Sequence, residues 1–92
     1  MKGLPTVRRI QQPGPGDGHC KVIDYVVKVA AGPHKGDWAF RDDELFEAVD
    51  YLRGLPDEDD AWLYALGIDD WNNKVSCRLK ADGRWGTWER TP

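Results

Sequence analysis

The chain has 92 residues, 40% of them hydrophobic and 32% charged, with a formal net charge of −3. That length supports one modest core and no second one, and the apolar content argues against disorder along the chain. No apolar run approaches the roughly 20 residues that cross a bilayer, and no apolar stretch follows Met1 as a secretory signal requires. Cys20 and Cys77 are too few for a disulfide scaffold, so a single domain over residues 1–92, located in the cytoplasm with both cysteines reduced, is expected.

Residues 4–10 read as a short edge strand or an arm, because Pro5 and the adjacent Arg8 and Arg9 do not suit a central strand. Pro13-Gly14-Pro15-Gly16-Asp17-Gly18 holds three glycines and two prolines in six residues, which makes residues 1–18 an arm with a Gly/Pro loop. Over residues 19–31, Ile23, Tyr25, Val27 and Val29 alternate with Val22, Asp24, Val26 and Lys28. This is the period-two signature of a strand whose odd-numbered side chains face the core. Gly32-Pro33-His34-Lys35-Gly36 supplies turn chemistry, and residues 37–41, with Trp38 and Phe40 on one side, return as the second strand of a hairpin.

Asp42-Asp43-Glu44 precedes Leu45, Phe46, Val49 and Leu52, an apolar set at helical spacing, and Gly54 followed by Pro56 stops it. The pattern predicts a helix over residues 43–53, capped by Asp42 or Asp43, with carboxylates at the positive end of its dipole. Its other face carries Glu44, Glu47, Asp50 and Tyr51, with Arg53 as the one positive neighbour. Leu55-Pro56-Asp57-Glu58-Asp59-Asp60 reads as an acidic loop. Trp62, Tyr64, Leu66 and Ile68 then alternate with Ala61, Leu63, Ala65 and Gly67, and a strand is predicted there in preference to a short helix capped by Asp60. After a turn at residues 69–73, Val75, Cys77 and Leu79 alternate with Lys74, Ser76, Arg78 and Lys80. Asp82-Gly83 marks a tight hairpin turn, and residues 85–90 return as the last strand. The expected architecture is α+β in the order ββαβββ: an antiparallel sheet of about five strands with one helix packed on one face and the other face open.

Motifs that carry chemistry are missing. His19 and Cys20 are neighbours on a predicted strand and point to opposite faces, so they do not form a thiolate and base, and His34 is no better placed. His19, Cys20, His34 and Cys77 lack the paired spacing of a zinc site. Asp57-Glu58-Asp59-Asp60 lacks the spaced oxygen ligands of a calcium loop. The glycines near residue 16 are not followed by a phosphate-binding helix. A protein that is not an enzyme, with no cofactor and no metal, is expected.

Charge, counted by segment, is more informative. Residues 1–41 hold seven Lys or Arg against three Asp or Glu, residues 42–70 one against eleven, and residues 71–92 five against two. A strongly acidic middle is therefore flanked by two mildly basic ends. Glu44, Glu47, Asp50, Tyr51, Asp57, Glu58, Asp59, Asp60 and Trp62 form the candidate recognition surface. It would dock on a basic partner by long-range attraction, with Tyr51 or Trp62 as desolvated anchors. Surfaces that bind nucleic acid are natural targets. Small acidic domains that block such surfaces occur as a class among phage anti-defence inhibitors, anti-CRISPR proteins included, and among toxin-neutralising immunity proteins; size and charge alone suggest the parallel. The alternative is a single-stranded nucleic-acid platform on the basic C-terminal strands, built from Lys74, Arg78, Lys80 and Arg84, with Arg8 and Arg9 and with Trp85 or Trp88 stacking on bases. The acidic middle opposes it. An open sheet face and exposed edges also make a homodimer an expected possibility, and no membrane partner is expected.

Overall fold

A computed structural model describes residues 10–13 and 20–90. The expected arm with Arg8 and Arg9, nearly all of the Gly/Pro loop and His19 lie outside the described residues. The elements follow as β1 (Lys21–Val29), β2 (Gly36–Arg41), α1 (Leu45–Gly54), a 3-10 turn at Asp57–Asp59, β3 (Ala61–Ile68), β4 (Lys74–Arg78) and β5 (Glu89–Arg90). All pairings are antiparallel, in the spatial order β2-β1-β3-β4-β5. The fold is thus the α+β arrangement predicted from alternation: one five-stranded sheet with one helix on one of its faces.

The helix-side face is set by which strand residues share a parity. Directly opposed residues in antiparallel strands lie on one face, so Val27 with Leu63, Tyr25 with Ala65, and Ala65 with Cys77 line up under α1. These side chains, with Val29, Leu79 and Leu45, Ala48, Val49 and Leu52 of α1, form the core. Tyr25, Val27, Ala48, Val49, Leu63, Ala65 and Leu79 are fully buried. Leu45, Ala48, Val49 and Leu52 fall on one stripe of a 3.6-residue helix, which is the physical reason this segment is helical here.

Two expectations about facing are corrected. Ile23 is not a core residue: it is 46% exposed. The β1–β3 register shifts between Val22 and Asp24, so Ile23 is the extra residue of a bulge. The inward parity therefore changes from Val22 to Tyr25 across it. Trp85 and Trp88, which their odd spacing on a regular strand would send to opposite faces, both pack against the core. Leu79 pairs with Trp85, whereas Ser76 pairs with Glu89, so one additional residue sits on the returning strand between those two pairs. That insertion restores the parity that the odd spacing of the two rings would otherwise reverse.

The tryptophans complete the cover of the helix-side face. Trp85 packs tilted against Tyr25, ring centroids 6.0 Å apart, and its indole N–H donates to the carbonyl of Gln11 at 2.7 Å. That bond holds the segment from Ile10 onto the sheet, where Ile10 is 1% exposed and belongs to the core. Trp88 reaches over Gly67, where a Cβ would lie 3.2 Å from the ring and 2.5 Å from the carbonyl oxygen of Lys21. A side chain at position 67 would displace the strand next to the bulge, so glycine is required by close approach rather than by backbone angle.

The start of α1 also differs from expectation. Helical geometry begins at Leu45, Glu44 occupies the cap position, and no side chain bonds the first turn. Asp42 and Asp43 instead form the turn leaving β2. Glu44 donates its N–H to the carbonyl of Arg41 at 3.0 Å, and its carboxylate accepts from the Arg41 N–H at 2.8 Å. The carboxylate thus fixes the exit of β2 rather than the helix end.

Candidate functional site

With Leu45, Ala48, Val49 and Leu52 turned inward, α1 presents Phe46, Glu47, Asp50 and Arg53 outward. Phe46 is 49% exposed. Its place in the apolar set at helical spacing predicts burial, but it lies about 100° around the helix from Leu45 and thus off the buried stripe. Beside it is a hollow of about 500 Å³ lined by Ile10, Gln11, Gln12, Asp43, Leu45 and Phe46. A second, smaller hollow of about 170 Å³ lies between the end of α1 and the start of β3, lined by Leu52, Leu55, Pro56, Asp57, Asp60, Ala61 and Trp62. Both have apolar walls and a carboxylate at the rim. Glu47, Asp50 and Glu58 are exposed, and Arg53 is the one basic residue between positions 42 and 60.

Four members of the expected acidic surface have other positions. Asp59 is 4% exposed. The 3-10 turn docks on the end of β1 through Ala31 N–H to Asp59 O at 3.0 Å and Ala30 N–H to Asp60 O at 3.3 Å. The Asp59 carboxylate packs against Gly32, which has φ +85°, and one of its oxygens is buried without a hydrogen-bond partner among the described residues. Glu44 is half-buried in its bond to Arg41. Tyr51 is also half-buried, clustered with Trp38 at 5.6 Å, Phe40 at 5.9 Å and His34 at 6.4 Å. Trp62 rims the smaller hollow but lies on the open face of the sheet, with the Arg78 guanidinium 4.3 Å above its ring.

No protein-family model, no curated protein and no solved structure matches this chain. Its surfaces must therefore be weighed on their own chemistry.

The open sheet face carries Trp62, Tyr64, Leu66 and Ile68 of β3 at half-burial. Lys28 lies 5.6 Å from the Tyr64 ring, and Arg78 covers Trp62. Long cationic side chains thus lie across the aromatic strip and shield it, which lets a sheet face stand without a second layer. Of the basic set expected here, Lys74 and Arg78 are exposed on β4, whereas Arg84 sits in the β4–β5 turn, where its N–H donates to Asp82 at 2.9 Å. A groove of about 370 Å³ is lined by Tyr64, Ser76, Cys77, Arg78, Lys80, Gly86, Thr87 and Glu89. The ring expected to stack on this face, Trp85 or Trp88, is absent from it, because both pack against the core on the other one.

Cys20 and Cys77 are buried thiols. Burial disfavours the thiolate of both, raising each above its ordinary 9.0, Cys77 to about 12. Among the described residues, no group of three or more His, Cys, Asp or Glu side chains is placed to hold a metal ion, and no helix is long and apolar enough to cross a membrane. Asp69 organises the β3–β4 turn. Its carboxylate accepts from the N–H groups of Trp71 and Asn73, both at 2.9 Å, and these bonds, led by that of Asn73, hold it below its ordinary 3.8. The turn displays Trp71, 74% exposed, which composition alone did not single out.

Proposed function

We propose that this is a non-catalytic protein-binding domain whose acidic surface, made by the outer side of α1 and the turn after it, docks on a basic surface of another protein. Phe46 carries this reading: a half-exposed aromatic ring set among Asp43, Glu47 and Asp50, with a hollow at its side. A uniformly charged helix face is only solvated. One with an aromatic anchor and carboxylate-rimmed hollows offers both parts of a specific contact, desolvated apolar area and electrostatic steering. A Lys or Arg from the partner would lay its aliphatic stem on Phe46 or Leu55 and its charge against Asp43, Asp57 or Asp60. Inhibition of, or adaptation to, a nucleic-acid-binding protein is the corresponding role, of the phage anti-defence, anti-CRISPR or toxin-immunity kind.

The single-stranded nucleic-acid reading has less support, because the open-face rings are covered by the chain's own Lys28 and Arg78, and Glu89 lies in the basic groove. Two measurements separate the readings. Reversing Glu47, Asp50 and Glu58 to lysine is expected to weaken partner capture by about 100-fold while shifting stability by no more than about 0.5 kcal/mol per site. Adding an oligonucleotide at low salt is expected to leave tryptophan fluorescence unchanged. Capture that survives the triple reversal, together with a salt-sensitive fluorescence change, would transfer the function to the basic face.

A further inference from the structure

On the open face of the sheet, the returning strand parts from β4 where it carries its extra residue. Leu79 pairs with Trp85 and Ser76 with Glu89, so two residues of β4 lie opposite three between those pairs. The Gly86 N–H bonds the carbonyl of Arg78 at 2.8 Å, but Gly86 supplies no side chain, and the groove of about 370 Å³ opens beside it. Charged groups are sorted along this groove. Tyr64 opposes Arg78, so Trp62 lies level with Lys80, and Arg78 leans that way to set its guanidinium 4.3 Å from the Trp62 ring. Lys80 leans across to the returning strand, where its Cε lies 3.9 Å from the position of a Cβ on Gly86. Both cations therefore flank the end of the groove near Leu79. Glu89 marks the other end, directly opposite Ser76.

We propose that this groove binds a small linear dipolar molecule of the ω-amino carboxylate class, with its carboxylate between Arg78 and Lys80 and its ammonium on Glu89. Two cations flanking one space repel each other, and a carboxylate placed between them relieves that repulsion. Stacking on the indole uses the face of the Arg78 guanidinium and leaves its N–H edge for a forked bond to the carboxylate. Arg78 is thus oriented before the ligand arrives, which lowers the ordering cost of binding.

Glu89 sets the length and the sign of the other end. From Ser76 to Lys80 the strand advances by about 13 Å, and after the reach of the side chains is subtracted the two charges of the ligand are separated by about 7 to 10 Å. A polyanion is repelled by Glu89, and a simple anion gains nothing from it. Only a ligand with both charges engages all three groups, while the hydroxyls of Ser76 and Thr87 line the same groove. The site is on the side of the sheet away from α1, so it operates independently of the acidic surface and of any protein bound there.

The probe is ε-aminocaproate, with caproate and hexylamine as its two halves, followed by amide NMR shifts at low ionic strength. Saturable shifts at Ser76, Arg78, Gly86, Thr87 and Glu89 are expected with a Kd of about 10 mM or tighter, and either half is expected to bind at least about threefold more weakly. Glu89→Gln is expected to reduce ε-aminocaproate to the affinity of caproate. Lys80→Gln is expected to weaken ε-aminocaproate and caproate by at least about twofold and to leave hexylamine unchanged. Both positions are exposed, and circular dichroism of each variant verifies the fold. No saturable shift in the parent chain up to about 50 mM would overturn the proposal, as would caproate or inorganic phosphate binding as tightly as ε-aminocaproate. A folded Glu89→Gln variant that keeps its preference for ε-aminocaproate over caproate would also overturn it.

Discussion

Asp59→Lys is expected to destabilise the domain by at least about 3 kcal/mol, whereas Glu58→Lys, one residue earlier, is expected to change stability by no more than about 0.5 kcal/mol. The two residues belong to the same acidic run and to the same 3-10 turn, but Glu58 is exposed and Asp59 is 4% exposed. Lysine at 59 would push a longer chain and an ammonium group into the space between the turn and Gly32, where a Cβ on Gly32 alone would lie 2.5 Å from the carboxylate. A 92-residue domain has about 5 to 14 kcal/mol of stability in total, so the loss would bring the weaker end of that range close to unfolding. Asp59→Ala is expected to stay within about 1 kcal/mol of the parent, because, among the described residues, one carboxylate oxygen is already buried without a partner and its removal leaves no donor orphaned. Urea denaturation of the three variants checks the ordering Lys far below Ala at position 59, with Glu58→Lys near the parent. Equal effects of lysine at 58 and 59 would show the turn to be exposed throughout.

A steep loss of stability between about pH 9 and pH 12 is the second large effect expected. Burial raises the Cys77 thiol from 9.0 to about 12, with Cys20 adding to it, and raises the Tyr25 phenol from 10.0 to about 12, with Cys77 and Asp42 adding to it. Both groups are neutral when protonated, so the folded chain keeps protons that the unfolded chain releases. Their contribution is fully present below the unfolded values and disappears as pH rises through the folded ones. Each pH unit between the two corresponds to about 1.4 kcal/mol per group. Among the described residues the buried Tyr25 hydroxyl has no hydrogen-bond partner, so no donor there compensates a phenolate. Thermal midpoints measured from pH 8 to pH 12 are expected to fall along this limb, and Cys77→Ala is expected to flatten it while lowering the midpoint at pH 8 through lost packing. An unchanged slope in that variant would remove Cys77 as a cause.

Most of the architecture could be read from periodicity. The alternation over residues 61–68 gave a strand with the same limits as β3, and the apolar stripe with Gly54 and Pro56 located α1 to within two residues of its start. Facing was harder wherever a single residue was inserted. The bulge at Ile23 and the extra residue after Gly86 each reverse parity, and neither position carries a glycine or proline signal at the inserted residue that marks it out. The acidic surface was legible as composition but only partly as geometry. Glu47, Asp50 and Glu58 are outward as expected, while Asp59 is buried by backbone bonds of a turn that a run of four acidic residues does not announce. Phe46 could have been recognised from the helical wheel, because Leu45, Ala48, Val49 and Leu52 already complete the stripe. The placement of Trp62 under Arg78 depends on the β3–β4 register, in which Tyr64 opposes Arg78, and a sequence does not contain that number.

The surface assignment itself is tested most directly by replacing Phe46, and separately Ser76, with a photo-reactive phenylalanine and irradiating each variant with the partner that the parent chain captures. Position 46 lies at the centre of the acidic surface, and position 76 lies in the basic groove of the open sheet face. A cross-link formed from position 46 and not from 76 is the expected result. A cross-link from 76 with none from 46 would contradict it.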